Sequence, residues 1–407
     1  RRQRGGGGAL LLLIAAAALV VAVLAIFTDV FSGKKAPDKD TDSPAVTQPA
    51  DGEPDGTGDA DNTAKDPEGD QKGGQSGNGD GNTDKSTVTT TKPAASNVIT
   101  TDATPYQSGG VYIVGNAGYE MYNYVGSLAE KYQSTVNAVA DSLSGVSNVY
   151  AMAIPLSSSI TLPDSLLSDI PGSDQAQAEK DILAGMGQNI KTVPLHDALN
   201  AHRTEYIYFR TDHHWTALGA YYAYVQFCNV KGITPHDLSD YEVSQYTGFL
   251  GSFYNDGGKP QAMADDPDTV NAYHPVSSTA AMKYGSSEDS ELTGGKVIFD
   301  ESTAAASLKY GAFIMGDNPF TVIENPEVSN GQSCIVVKES FGNAFAPFLV
   351  ENYENVYIVD YRYIKNVDKR SLTQMVDKYK IDDVLFVNNV SAVRNESAVK
   401  LMSDFVG

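Results

Sequence analysis

Hydrophobic and polar positions divide the chain into three stretches. Ala9 to Phe27 reads ALLLLIAAAALVVAVLAIF, without a charge. At ~1.5 Å rise per residue this run nearly spans a hydrocarbon core of about 30 Å, which predicts one transmembrane helix. From Thr28 to Gln107 large apolar residues are almost absent, and Asp, Gly, Thr, Pro, Lys and Ser dominate. Such a segment buries too little surface to offset its ordering entropy, so 28–107 is expected to be a disordered linker. As a flexible coil it has a reach of roughly 50 Å. From 108 to 407 short apolar runs alternate with helical spacing, the signature of one α/β domain with a mostly parallel, helix-covered sheet.

Within that domain, Val111 to Val114 (VYIV) is a short strand ending at Gly115. Val125, Leu128, Tyr132, Val136, Val139 and Leu143 recur at helical spacing, which predicts a helix over 124–143. Val149 to Ile154 is the next strand, stopped by Pro155. Helices are expected over 176–186, 216–230 and 372–379. Further strands are expected at 311–315, 334–337, 356–359 and 384–387. Residues 237–301 are rich in Gly, Asp, Ser and Thr and predict an irregular or β-rich insertion, a candidate lid over the site.

Charge narrows the function. The net charge of −22 excludes nucleic acid as a natural partner, because phosphate binding needs clustered Lys and Arg. It also disfavours polyanionic glycans unless a local basic pocket exists. Arg1, Arg2 and Arg4 precede the apolar run, which places residues 1–8 in the cytoplasm, the anchor at 9–27, and the rest outside the cell membrane. A cleaved signal peptide is the rival reading, set against it by the length of the run and the lack of a small-x-small site directly after it. The two cysteines, Cys228 and Cys334, lie in apolar patterns and read as buried thiols rather than a disulfide or a nucleophile.

The densest chemical constellation is Arg210-Thr211-Asp212-His213-His214-Trp215-Thr216, after the apolar approach Tyr206 to Phe209. A carboxylate two residues from an imidazole can take its Nδ1–H, fix the tautomer and stabilise the imidazolium formed on proton abstraction. Asp212 and His214 are therefore a candidate orienter and base. A metal site is an open alternative, although no HExxH spacing or Cys pair completes it. In the other alternative both histidines are structural, one bonded to Asp212 and one packed on Trp215. The candidate nucleophile is Ser340, where the apolar strand 334–337 runs through Lys338-Glu339 into Ser340-Phe341-Gly342-Asn343. A serine at a strand-to-helix turn projects above the carboxyl edge of the sheet, and the helix start offers N–H groups to an oxyanion. The competing reading is a helix cap. Asn318 is a candidate oxyanion donor or a turn former, and Arg362 a substrate ligand or the partner of Asp360. Tyr363 and Trp215 are further candidates beside the site. No cofactor is expected.

Together these segments resemble the bacterial DHHW family, named for the tetrapeptide present here as Asp212-His213-His214-Trp215. Supporting the resemblance are Tyr208-Phe209-Arg210-Thr211, Ala217-Leu218-Gly219-Ala220-Tyr221-Tyr222, Phe249-Leu250-Gly251-Ser252, the Ser340 segment and Val359-Asp360-Tyr361-Arg362-Tyr363. The family looks related to the alginate O-acetyltransferases, which implies an SGNH-hydrolase-like three-layer α/β sandwich. It also implies an Asp-x-His pair, here Asp212 and His214, preceding the serine, here Ser340. One departure is Glu339, where the family's acid before the serine is Asp.

What the resemblance implies is a membrane-anchored, extracytoplasmic serine acyltransferase that O-acetylates an exported or cell-wall polysaccharide. A membrane-bound O-acyltransferase is the expected supplier of acyl groups. The alternatives are an acyl esterase using the same triad and a non-catalytic glycan-binding or assembly protein.

Overall fold

The structure, a computed structural model, describes residues 97–364 and 371–406. The expected tail, the anchor at 9–27 and the linker up to residue 96 lie outside the described residues. Among those described, no helix is long and apolar enough to cross a membrane. The linker expectation ran too far at its C-terminal end. Asn97 Nδ2 donates to the Asn200 carbonyl, the Ile99 N–H donates to Asp164, and a strand begins at Tyr106, so polar anchoring holds a segment with few large apolar residues.

A small antiparallel sheet opens the domain: β1 (Tyr106–Ser108), β2 (Val111–Val114) and β3 (Ala117–Glu120). Then follow α1 (Gly126–Ser142), β4 (Asn148–Ile154), α2 (Gln175–Ala184), β5 (Ile190–Val193) and α3 (Ala217–Lys231). The middle of the chain holds β6 (Val243–Phe249), β7 (Asp268–Tyr273), β8 (Ala281–Gly285), β9 (Thr293–Gly295) and β10 (Phe320–Glu324). The last part is β11 (Ser333–Lys338), α4 (Phe341–Leu349), β12 (Asn355–Asp360), α5 (Leu372–Tyr379), β13 (Asp383–Asn389) and α6 (Glu396–Val406).

Among the described residues the main sheet has eight strands in the order β5-β4-β13-β11-β12-β10-β8-β9. Pairing is parallel from β5 through β12 and antiparallel from β12 through β9. The fold is therefore α/β with a mixed sheet. The parallel strands are almost continuously buried (β11 and β13 along their whole length), as expected of strands covered on both faces. Helices α1, α5 and α6 pack on one another, and α3 packs on α4.

One expectation fails here. Residues 311–315 are not a strand: a 3₁₀ helix covers Ala306–Ala312, and Ile314 and Met315 have φ of 47° and 57°. The left-handed backbone cannot continue a ladder, so the buried apolar run Phe313-Ile314 turns and the strand starts later, at Phe320. The 237–301 segment is β-rich and only partly separate from the main sheet. Its β6 and β7 form a hairpin of their own, whereas β8 and β9 extend the main sheet beyond β10.

Candidate active site

Asp212 and His214 sit on a tight hairpin. Tyr208 bridges Trp215 across it, with the Phe209 N–H donating to the His214 carbonyl at 3.2 Å and the Thr216 N–H to Ile207 at 3.0 Å. The fully buried Asp268, on β7, holds the approach to the turn. Its Oδ2 accepts from the Arg210 N–H (3.0 Å), the Thr211 N–H (2.7 Å) and Thr211 Oγ1 (2.7 Å), and its Oδ1 from the Tyr206 hydroxyl (2.6 Å). One acceptor side chain thereby satisfies the buried donors that a turn leaves over.

At the tip, Asp212 Oδ1 accepts from the His214 N–H at 3.0 Å and lies 2.6 Å from His214 Nδ1. Its Oδ2 accepts from the Ser252 N–H at 2.8 Å. Gly251 makes this approach possible, since a Cβ there would stand 2.2 Å from Asp212 Oδ2. That is the physical reason for Gly251-Ser252 in the sequence. Burial works against ionisation of Asp212, but the charges of His214 and His213 and the hydrogen bonds from His214 and Ser252 outweigh it, holding the carboxyl well below its ordinary range.

Ser340 closes the row, with His214 Nε2 2.7 Å from Ser340 Oγ. Because an ionised Asp212 only accepts, Nδ1 carries the imidazole proton and Nε2 is left to accept from the Ser340 hydroxyl. All three side chains are buried, with relative exposures of 5%, 6% and 5% for Asp212, His214 and Ser340. The structure thus brings together, 126 residues apart in sequence, the residues proposed as base and nucleophile.

The turn that carries Ser340 is set by its neighbours. Glu339 bridges two backbone donors, the Phe341 N–H at 3.0 Å and the Asn389 N–H at 2.9 Å, tying β11 to β13 at the serine. Burial raises the Glu339 carboxyl above its ordinary value, opposed by Arg362 and those two N–H groups. The Gly342 N–H donates to Glu339 O and the Asn343 N–H to Ser340 O. The N–H groups of Phe341, Gly342 and Asn343 are therefore already engaged, contrary to the expectation that the helix start presents them to an oxyanion.

Behind the serine lies a closed charge network. The fully buried Lys338 donates to Asp360 at 2.8 Å and pairs with Asp317 at 3.4 Å. Arg362 binds both oxygens of Asp360 (2.9 and 2.7 Å) and reaches Asp317 at 2.9 Å. Asn343, one turn past Ser340, donates to Asp317 at 2.8 Å. For Asp317 too, burial favours the neutral acid, but Arg362, Lys338 and the Asn343 hydrogen bond keep the carboxyl well below its ordinary range.

Several expected site residues have other duties. Asn318 is no oxyanion donor: its Nδ2 donates to the Ile314 and Met315 carbonyls at 3.0 and 3.4 Å, holding the left-handed turn. Trp215 is fully buried and cannot face a substrate; its Nε1 donates to the Phe341 carbonyl at 2.9 Å. Arg362 is the partner of Asp360 and Asp317, the second of its two readings. Tyr363, half-buried, lies with its ring 5.1 Å from the Arg362 guanidinium. His213 holds Ser252 Oγ at 2.6 Å. Burial, then the charge of His214, pushes the His213 imidazole below its ordinary value.

Asp212, His213 and His214 also have donor atoms within 4.8 Å of one another, a set that could hold a metal ion. Both ring nitrogens of His214 are, however, at hydrogen-bond distance from Asp212 and Ser340, the pattern of a proton relay. Cys228 and Cys334 are free and buried; burial pushes the Cys228 thiol up to about 12, which leaves it inert as a nucleophile. A cavity of about 260 Å³ lined by Tyr119, Arg203, Tyr206 and Arg210, among others, is bordered by none of the three central residues.

The sequence reading missed Tyr310, whose ring lies parallel to that of His214 at 4.0 Å, and it gave Asp268 and Lys338 no role. A lysine interrupting an apolar strand two residues before the serine was a visible signal; Asp268 and Tyr310, remote in sequence, left none.

No curated protein sequence matches the chain. In solved structures, a DHHW family protein from Eubacterium siraeum is similar at 26% identity and a TM-score of 0.66, over 74% of this chain and 98% of that one. PatB1 of Bacillus cereus, solved with a sulfonyl adduct, is similar at 19% identity and a TM-score of 0.57, over 75% of this chain and 99% of that one, a likeness of fold. The O-acetyltransferase domain of Pseudomonas putida AlgJ matches at 10% identity and a TM-score of 0.37, over 74% and 99%, too distant to carry an argument. The family description "DHHW protein" matches residues 81–359, and the chain belongs to that family.

Proposed function

We propose that the domain is a serine acyltransferase that acetylates hydroxyl groups of an envelope polysaccharide. The observation that carries this reading is the buried hydrogen-bonded row from Asp212 through His214 to Ser340. His214 Nε2 takes the Ser340 proton as Oγ attacks the carbonyl carbon of an acyl ester. The tetrahedral intermediate collapses, His214 returns the proton to the leaving oxygen, and an acyl-Ser340 ester remains. A sugar hydroxyl then gives its proton to His214 and attacks that ester, releasing the acylated sugar and restoring Ser340. Asp212 stays ionised throughout and holds the imidazolium.

Acetyl as the acyl group and a polysaccharide as the acceptor rest on the family resemblance. A membrane-bound O-acyltransferase as donor rests on it too, whereas the anchor at 9–27 and a location outside the cell membrane rest on the uncharged apolar run and the arginines before it. One feature of the site agrees with a neutral sugar: Lys338 and Arg362 are both paired with Asp317 and Asp360, which leaves no unpaired charge behind the serine. The test is a product assay with an acetyl ester, with and without neutral glycan oligomers. Acetylated glycan formed only with intact Ser340 supports transfer. Acetate alone, at a rate indifferent to glycan, makes the protein an esterase.

A further inference from the structure

Tyr310 touches both partners of the proposed proton transfer. Its ring lies flat on the His214 imidazole, with centroids 4.0 Å apart and planes 11° from parallel. Its hydroxyl donates to the backbone carbonyl of Ser340 at 3.0 Å. His213 also lies against the same imidazole, at 3.9 Å and tilted by 36°, and Phe341 is 5.1 Å away. His214 is thus flanked by aromatic rings, while its two nitrogens, at the ring edge, keep the contacts to Asp212 and Ser340.

We infer that Tyr310 is a positioning residue of the acyl-transfer site, its ring fixing and stabilising the base and its hydroxyl fixing the backbone of the nucleophile. The inference rests on the roles proposed above for His214 and Ser340 and deepens them. When Ser340 Oγ attacks, His214 changes from neutral to cationic, and a cation against an aromatic face in a dry site is favoured where a neutral ring gains little. The stack is therefore worth more in the transition state than before it. The hydroxyl bond adds geometry. It fastens the peptide of Ser340 to the ring that lies on the imidazole, so one side chain contacts both the base and the backbone of the nucleophile. Tyr310 comes from the 3₁₀ helix Ala306–Ala312, on the far side of β10 in sequence from Ser340. Phe313 and Phe209, at 5.2 and 6.1 Å, brace its ring edge-on.

The experiment compares the intact protein with Tyr310→Phe, Tyr310→Leu and Tyr310→Met, with Ser340→Ala as control. The readouts are kcat and KM for a chromogenic acetyl ester and the thermal midpoint. Tyr310→Phe keeps the stack and loses only the hydroxyl bond, so kcat stays within about 5-fold. The two aliphatic variants lose the stack, and kcat falls about 30-fold with KM little changed and the thermal midpoint close to that of Tyr310→Phe. Using two aliphatic side chains guards against one of them failing to fold. Aliphatic variants within 3-fold of the parent overturn the inference, and so does a loss as large in Tyr310→Phe as in Tyr310→Leu, which would leave the ring no part. Turnover unchanged in Ser340→Ala instead overturns the proposed function, and this inference with it.

Discussion

The indole Nε1 of Trp215 donates to the backbone carbonyl of Phe341 at 2.9 Å, joining the loop that bears the base to the helix that begins at the nucleophile. Trp215 follows His214, Phe341 follows Ser340, and both side chains are fully buried. The bond therefore runs parallel to the contact between His214 and Ser340, one residue behind it on each segment. Replacing Trp215 by Phe leaves the Phe341 carbonyl without its buried donor and a gap beside it. A loss of ~1–3 kcal/mol in urea unfolding is expected, with kcat reduced more than KM is raised.

The close approach at Gly251 gives a second expectation. A Cβ placed 2.2 Å from Asp212 Oδ2 must push the carboxylate or the 250–252 loop aside, and the Ser252 N–H bond to Asp212 goes with it. Gly251→Ala should cost about 1–3 kcal/mol and lower kcat, whereas Gly294→Ala, where a Cβ meets nothing within 4 Å, should do neither. Thermal unfolding and ester turnover measured side by side on the two variants check this.

Away from the site, Glu179 accepts the N–H groups of Leu195 and His196 inside the domain, and burial raises its carboxyl to about 7 despite those bonds. An acid raised in the folded state binds a proton there that the unfolded chain has already released. Between about pH 4.3, the unfolded value, and about pH 7 the folded state thus holds more protons, and stability falls as pH rises. The slope from this group is at most ~1.4 kcal/mol per pH unit. Glu179→Gln should flatten it in urea titrations at pH 5, 6 and 7; an unchanged slope would place the pH dependence elsewhere.

The metal alternative is separable by experiment. If Asp212 and His214 form a relay to Ser340, prolonged EDTA treatment leaves ester turnover within about 2-fold, and zinc, by competing for the His214 nitrogens, inhibits. Activity lost to EDTA and restored by zinc would instead assign the Asp212, His213 and His214 cluster to a metal.

Much of the fold was legible because most of its parallel strands are nearly continuously buried and interrupt the chain as apolar runs: 149–154, 334–337, 356–359 and 384–387 all fall on strands of the main sheet. The run at 311–315 is equally apolar, yet it is buried as a left-handed turn, a distinction that hydrophobicity does not encode. Strand β10 went unread behind Pro319, and β8, at the half-exposed margin, lacks a strong pattern. At the site, Asp212, His214 and Ser340 stood out by residue type and by the elements before and after them. Their support did not. Asp268 and Tyr310 act across 57 and 30 residues of chain, and of the two readings of Asn318 the structure fits the turn, since its amide serves the very turn that spoiled the strand.

The central claim is that Ser340 is acylated with His214 as its base, and the most direct measurement is the mass of the peptide containing Ser340 after brief incubation with an acetyl ester and acid quenching. The account predicts one acetyl group on Ser340 in the parent protein and its absence, or a rate lower by about 10³-fold or more, in His214→Ala. Acetylation located on another residue, or on Ser340 at a rate indifferent to His214→Ala, would contradict it.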